Sequence, residues 1–116
     1  MVKKMFKNMA AQGDLLIRRI HQLPPNVVPE RATDGAYVLA HSETGHNHVV
    51  LERPGVTLHK DPVDQFRAFL TVTGDPVELE HLRSYDTHET ILVTEGVYEV
   101  RRQREYTPES FRKAQD

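Results

Sequence analysis

Apolar and polar residues alternate with a period of two along most of this chain. Phe66–Thr73 shows it most clearly, with Phe66, Ala68, Leu70 and Val72 on one face and Arg67, Phe69, Thr71 and Thr73 on the other. That period is the mark of a strand with one face in a core. It also predicts strands at Leu15–Ile20, Ala36–His41, His46–Leu51, Val56–His59, Val77–His81, His88–Val93 and Val97–Arg104. Leu15 and Ile17 share one face of the first, against Leu16, Arg18 and Ile20. His88, Thr90 and Leu92 alternate with Glu89, Ile91 and Val93, and Tyr98 and Val100 are expected inward. Turn signals stand between the runs: Gly13-Asp14, Pro54-Gly55, Gly74-Asp75-Pro76 and Glu95-Gly96. Pro24, Pro25 and Pro29 make His21–Gly35 an extended loop.

The two ends break the pattern. Met1–Gln12 carries Lys3, Lys4 and Lys7 and reads as a mobile basic arm or a short helix, with a tie to a neighbouring subunit as the rival reading. The folded domain is then 13–116. Thr107-Pro108-Glu109 offers a hydroxyl cap, a first-turn proline and an early acid, so a short helical turn at Pro108–Lys113 is expected. The predicted fold is mostly β: a small, single-domain antiparallel β-barrel or sandwich with short helical turns at the termini.

Composition narrows the chemistry. A chain of 116 residues builds one core, and its formal balance of −2 gives no strong argument for nucleic acid or an anionic membrane. No apolar run approaches the roughly 18 residues of a membrane span, and the start lacks the apolar centre of a signal peptide. A cytoplasmic location, in a host cell or a virion, is the expectation. With no cysteine, any metal must be held by histidine and carboxylate, which suits zinc, iron, manganese or nickel.

Seven histidines are many for this length. In Thr44-Gly45-His46-Asn47-His48-Val49-Val50-Leu51-Glu52 the strand period puts His46 and His48 on one face, able to reach one ion at about 2.0–2.1 Å. His81 shares a face with Val77 and Leu79, and His88 with Leu92. A buried imidazole needs a hydrogen-bond partner or a metal. His46, His48, His81 and His88 are therefore the candidate ligands of one divalent transition metal. Glu52, Glu89 and His41 are further ligands or outer hydrogen-bond acceptors. The alternative is that each imidazole is satisfied singly by protein groups. Neither Ser42 beside His41 nor the triplet His88-Glu89-Thr90 makes a catalytic set.

His46-x-His48-x-x-x-Glu52 resembles part of the first cupin motif, whose histidines and glutamate bind a metal inside a β-barrel; position 40 is Ala where that motif has Gly. A broader likeness rests on Gln12-Gly13-Asp14-Leu15-Leu16-Ile17-Arg18-Arg19, Thr44-Gly45-His46-Asn47-His48, Glu80-His81, His88-Glu89-Thr90-Ile91 and Gly96-Val97-Tyr98-Glu99-Val100-Arg101-Arg102-Gln103-Arg104-Glu105-Tyr106. This pattern resembles small uncharacterised proteins of tailed phages and bacterial genomes. The likeness implies a phage or prophage origin. The expected function is a non-enzymatic β protein with a His-lined divalent-metal site, working as a homo-oligomer or in a larger protein assembly. The alternative is a virion structural protein, such as a capsid decoration or stabilising subunit, with structural histidines. A cupin-like metalloenzyme stands third.

Overall fold

The computed structural model describes residues 4–40, 47–81 and 90–102. Among them every regular element is a strand: β1 (Lys4–Met5), β2 (Met9–Gln12), β3 (Leu15–Ile20), β4 (Val28–Pro29), β5 (Ala36–Ala40), β6 (His48–Leu51), β7 (Val56–Lys60), β8 (Arg67–Val72), β9 (Val77–His81), β10 (Ile91–Val93) and β11 (Gly96–Arg102). They form a five-stranded sheet in the order β1-β10-β9-β6-β5 and a six-stranded sheet in the order β2-β3-β11-β8-β7-β4. Every pairing is antiparallel except β1 with β10. The predicted β architecture stands, but as two sheets with edges and not as a closed barrel.

One core lies between the sheets. The five-stranded sheet contributes Tyr37, Leu39, Val50, Leu79, Ile91 and Val93, and the other contributes Leu15, Ile17, Leu58, Leu70, Val72, Tyr98 and Val100. Burial of these alternating side chains drives the fold, at about 1.5–3 kcal/mol for each large aliphatic residue. Leu15, Ile17, Leu70, Val72, Tyr98 and Val100 are buried, as the strand alternation predicts. In β10 the alternation runs the other way. Ile91 and Val93 point into the core, so Leu92 faces outward, and the reasoning that set His88 on a core face through Leu92 does not hold. His88 and Glu89 themselves, with His41 and His46, fall outside the described residues, as does the expected helical turn at Pro108–Lys113.

The N-terminal segment differs most from expectation. It is neither a loose arm nor a helix across residues 4–12, but a strap sewn into both sheets. Lys4 and Met5 pair with Ile91 and Leu92 of one sheet, and Met9–Gln12 pairs with β3 of the other. Ala10 and Gln12 are buried. The period of two was hidden because only Ala10 and Gln12 face inward, a small residue and a polar one. The expected loop His21–Gly35 likewise contains β4, which pairs with β7; Pro29 is tolerated there because β4 is an edge.

Two turns set the frame. Asp34 and Gly35 have φ of 52° and 80° between Thr33 and Ala36, whose backbones exchange hydrogen bonds; paired positive φ is the geometry of a type I′ hairpin turn. Gly13, with φ of 58°, leads the two-residue Gly13-Asp14 connection from β2 to β3. Its place in the molecule decides the site.

Candidate functional site

In the five-stranded sheet β6 begins at His48 and β9 ends at His81, and the register pairs these two residues directly. Both side chains point into the core; His48 is fully buried and His81 nearly so. Their rings stack with centroids 4.0 Å apart and planes 14° from parallel. The β2–β3 turn lies across this stack. A Cβ added to Gly13 would stand 2.8 Å from His81 Cε1 and 3.4 Å from His48 Cε1. Only glycine both adopts the backbone angle and leaves room for the rings.

The residues flanking Gly13 hold His48 from both sides. The Gln12 side-chain amide donates to the Leu79 carbonyl at 2.9 Å, which turns its oxygen toward His48 Nδ1 at 2.8 Å. Nδ1 therefore donates to that oxygen. His48 Nε2 meets Asp14 Oδ1 at 2.9 Å. A carboxylate only accepts, so Nε2 donates as well. Both ring nitrogens thus face oxygen atoms of the chain's own side chains. The second Asp14 oxygen lies 3.5 Å from Arg102 Nε, at the end of β11. Asp14 is partly exposed, with 35% of its side-chain surface open, so the network runs from the surface inward.

A single hairpin thus clamps the two sheets through polar groups. Gln12 sits on the six-stranded sheet and bonds two groups of the five-stranded one. Each such buried bond contributes about 1 kcal/mol, rising to about 1.5–3 where one partner is charged.

Of the four histidines expected as ligands, the structure brings His48 and His81 together, and His46 and His88 are among the residues not described. Glu52 is exposed beyond the far end of β6, some four residues or roughly 13 Å along the strand from His48. It lines a shallow cleft with Val49, Leu51, Arg53 and Glu78. Among the described residues no group of three or more His, Asp or Glu side chains is placed to hold a metal ion. Gln12, Gly13 and Asp14 were not expected at the site. The one sequence signal was the turn itself, a Gly-Asp pair whose preceding residue alternates in phase with Leu15 and Ile17 across the hairpin.

Two further polar features lie away from the histidines. A groove of about 960 Å³ is lined by Leu39, Leu58, Phe66, Arg67, Ala68 and Arg102 among others. Lys60 pairs with Glu30 at 3.5 Å and Arg67 with Asp61 at 3.3 Å along its walls. On the outer face of the six-stranded sheet Glu99 is buried between Arg18, at 2.6 and 3.1 Å, and Arg67, at 2.6 Å. Burial alone raises a carboxyl pKa, but hydrogen bonds and charge from Arg18 and Arg67 outweigh it and hold Glu99 below its ordinary value of 4.5. Asp61 is also held below its ordinary range, by the backbone N–H groups of Val63 and Asp64 and by Arg67.

The family model described as Domain of unknown function (DUF8820) matches residues 11–103. The chain belongs to this family. No curated protein and no solved structure matches it. The matched stretch of the DUF8820 domain opens one residue before Gln12 and closes one residue after Arg102, so it spans the whole Gln12–Gly13–Asp14–His48–His81–Arg102 arrangement.

Proposed function

We propose that this DUF8820 domain is a non-enzymatic structural subunit of phage or prophage type, acting within a protein assembly, whose described core histidines serve the fold. The observation that carries the reading is the hydrogen bonding of His48. Both ring nitrogens are taken by side chains of the chain itself, and the ring is closed to solvent. An active-site base must reach a substrate proton, directly or through one water. The ring nitrogens of His48 bond Gln12 and Asp14. The two-sheet architecture, with its edges at β1, β5, β2 and β4, suits a module that meets other protein surfaces. The phage or prophage origin rests on the sequence likeness alone.

A second reading keeps a divalent metal, zinc, iron, manganese or nickel, at His46, His48, His81 and His88. It draws support from the direct register of His48 with His81. The two readings separate on metal content. Protein purified without a histidine tag, offered each of the four ions at pH 7.5 and weighed by native mass spectrometry, is expected to hold less than about a tenth of an equivalent. Close to one equivalent, lost in a His48→Gln variant, would establish the metal reading and overturn the structural one.

A further inference from the structure

Residues 4–12 connect to the rest of the described fold through one turn, Gly13-Asp14. Their other holds are contacts that the same strand would make in the same slot from any copy of the chain. Lys4 and Met5 lie on β10, and Met9–Gln12 lies on β3. The Arg19 backbone N–H donates to the Asn8 carbonyl at 2.7 Å, and Arg19 Nε donates to the Lys7 carbonyl at 3.0 Å. Side chains add selectivity. Phe6 sets its ring edge-on to Tyr98, with centroids 5.7 Å apart. Ala10 is buried in the core, where a larger side chain would overpack it. Gln12 bridges the Leu79 carbonyl and His48 Nδ1. The slot therefore selects an aromatic residue at 6, a small one at 10 and an amide at 12, which is the pattern of this chain itself.

We infer that residues 4–12 of one chain fill this slot in a second copy, which gives its own strap in return or passes it to a third. The inference deepens the structural-subunit reading by naming its partner. An emptied slot strands the edges of β3 and β10 and the Leu79 carbonyl, so an opened strap must be replaced. Opening starts at β1, a two-residue strand with both residues exposed. A second copy's strap restores each strap contact, and only the hinge differs. In the closed form Gly13 must hold a φ of 58° with its Cα against the His81 ring. In the exchanged form β2 runs on toward β3 and neither demand remains. A short, constrained hinge of this kind invites exchange. The Asp14 bond to His48, made from the turn, favours the closed form, so residue 13 and protein concentration set the balance. Reciprocal exchange gives a closed dimer, and a strap handed onward gives a chain of copies.

The chain has no cysteine, so an introduced disulfide can report whose strap lies on whose β3. Ala11 and Leu16 are directly paired across β2 and β3. Opposed Cα atoms there lie about 4.5–5.5 Å apart, within disulfide reach. Full-length Ala11→Cys and Leu16→Cys chains are unfolded together in urea, refolded at about 1 mM, the order of a tethered segment's effective concentration, and oxidised. A disulfide-linked heterodimer is expected, at least roughly tenfold above the dimer formed by either variant alone. Gly13→Val burdens only the closed turn and should lower the concentration at half-dimerisation by at least roughly a hundredfold in sedimentation velocity. A Gly13→Val chain that circular dichroism shows folded and that stays monomeric at about 1 mM overturns the inference. So does a Gly13→Val dimer in which an added Ala11→Cys, Leu16→Cys pair closes within one chain. Should Gly13→Val not fold, the mixed cysteine variants with the native hinge decide, and a heterodimer no stronger than the single-variant controls overturns the inference. None of these failures touches the structural-subunit reading, which falls separately, on bound metal.

Discussion

Replacing Gly13 with Ala tests the clamp directly, because it adds one methyl group where the hairpin rests on the histidine stack. Two costs are separable. The first is the backbone: a left-handed φ of 58° costs an alanine about 1–2 kcal/mol. The second is space. The new Cβ would stand 2.8 Å from His81 Cε1 and 3.3 Å from His81 Nδ1, nearer than carbon atoms approach, so the ring or the turn must shift. His81 cannot yield freely, since its ring lies 4.0 Å from that of His48, itself held by Gln12 and Asp14. Overpacking of this kind costs about 1–3 kcal/mol. Gly35→Ala is the matched control, with φ of 80° and nothing within 4 Å of its added Cβ; it carries the first cost alone. Urea unfolding at pH 7, followed by circular dichroism, should show Gly13→Ala losing about 1–3 kcal/mol more than Gly35→Ala. Equal losses, within about 0.5 kcal/mol, would refute the claim that the turn is seated on the histidines.

Three further outcomes follow from the same contacts. Gln12→Leu keeps the size of the side chain but strips the partners from His48 Nδ1 and the Leu79 carbonyl, and should cost about 2–4 kcal/mol in urea unfolding. Glu99→Gln leaves Arg18 and Arg67 without their shared charge and should cost about 2–4 kcal/mol at pH 7. Because the folded Glu99 pKa is depressed, its contribution is present above the unfolded value of about 4.5 and is lost as pH falls through the lower folded value; the variant should show a shallower acid-side decline of stability than the wild type. Deleting residues 1–12 removes β1, β2 and the buried Ala10 and Gln12, and should abolish cooperative unfolding in a domain whose whole stability is of order 5–15 kcal/mol.

The strands with bulky alternating residues were legible because a period of two survives wherever one face is aliphatic. Arg67–Val72, Val77–His81 and Gly96–Arg102 could be read from their side chains alone. β1, β2 and β4 could not. Two of them are two residues long, and β2 turns inward only an alanine and a glutamine; a pairing of that kind is decided by its neighbours and not by its own composition. β10 failed for another reason. Ile91-Leu92-Val93 is apolar on both faces, so periodicity alone cannot choose which face meets the core, and the choice fell to the partner strand β9.

The histidine site was half legible for a physical reason that sets the function proposed here apart from the metal one. Strand parity correctly aimed His48 and His81 inward, since parity depends only on local sequence. What satisfies a buried imidazole depends on what the fold brings across from the other sheet, 36 residues away at Gln12 and 34 at Asp14. A metal site and a hydrogen-bonded site therefore look alike in a strand pattern and differ only in the facing element. Here that element is a tight turn with a donor-acceptor amide before its glycine and a carboxylate after it. Amide and carboxylate together face both ring nitrogens of His48, and the glycine leaves room for the rings. Gln12 and Asp14, which bond His48, also tie the N-terminal strap to the five-stranded sheet, so the hydrogen bonding of His48 and the stability of residues 4–12 are coupled. Loss of the strap and loss of the Gln12 amide should accordingly be non-additive in a double-mutant comparison.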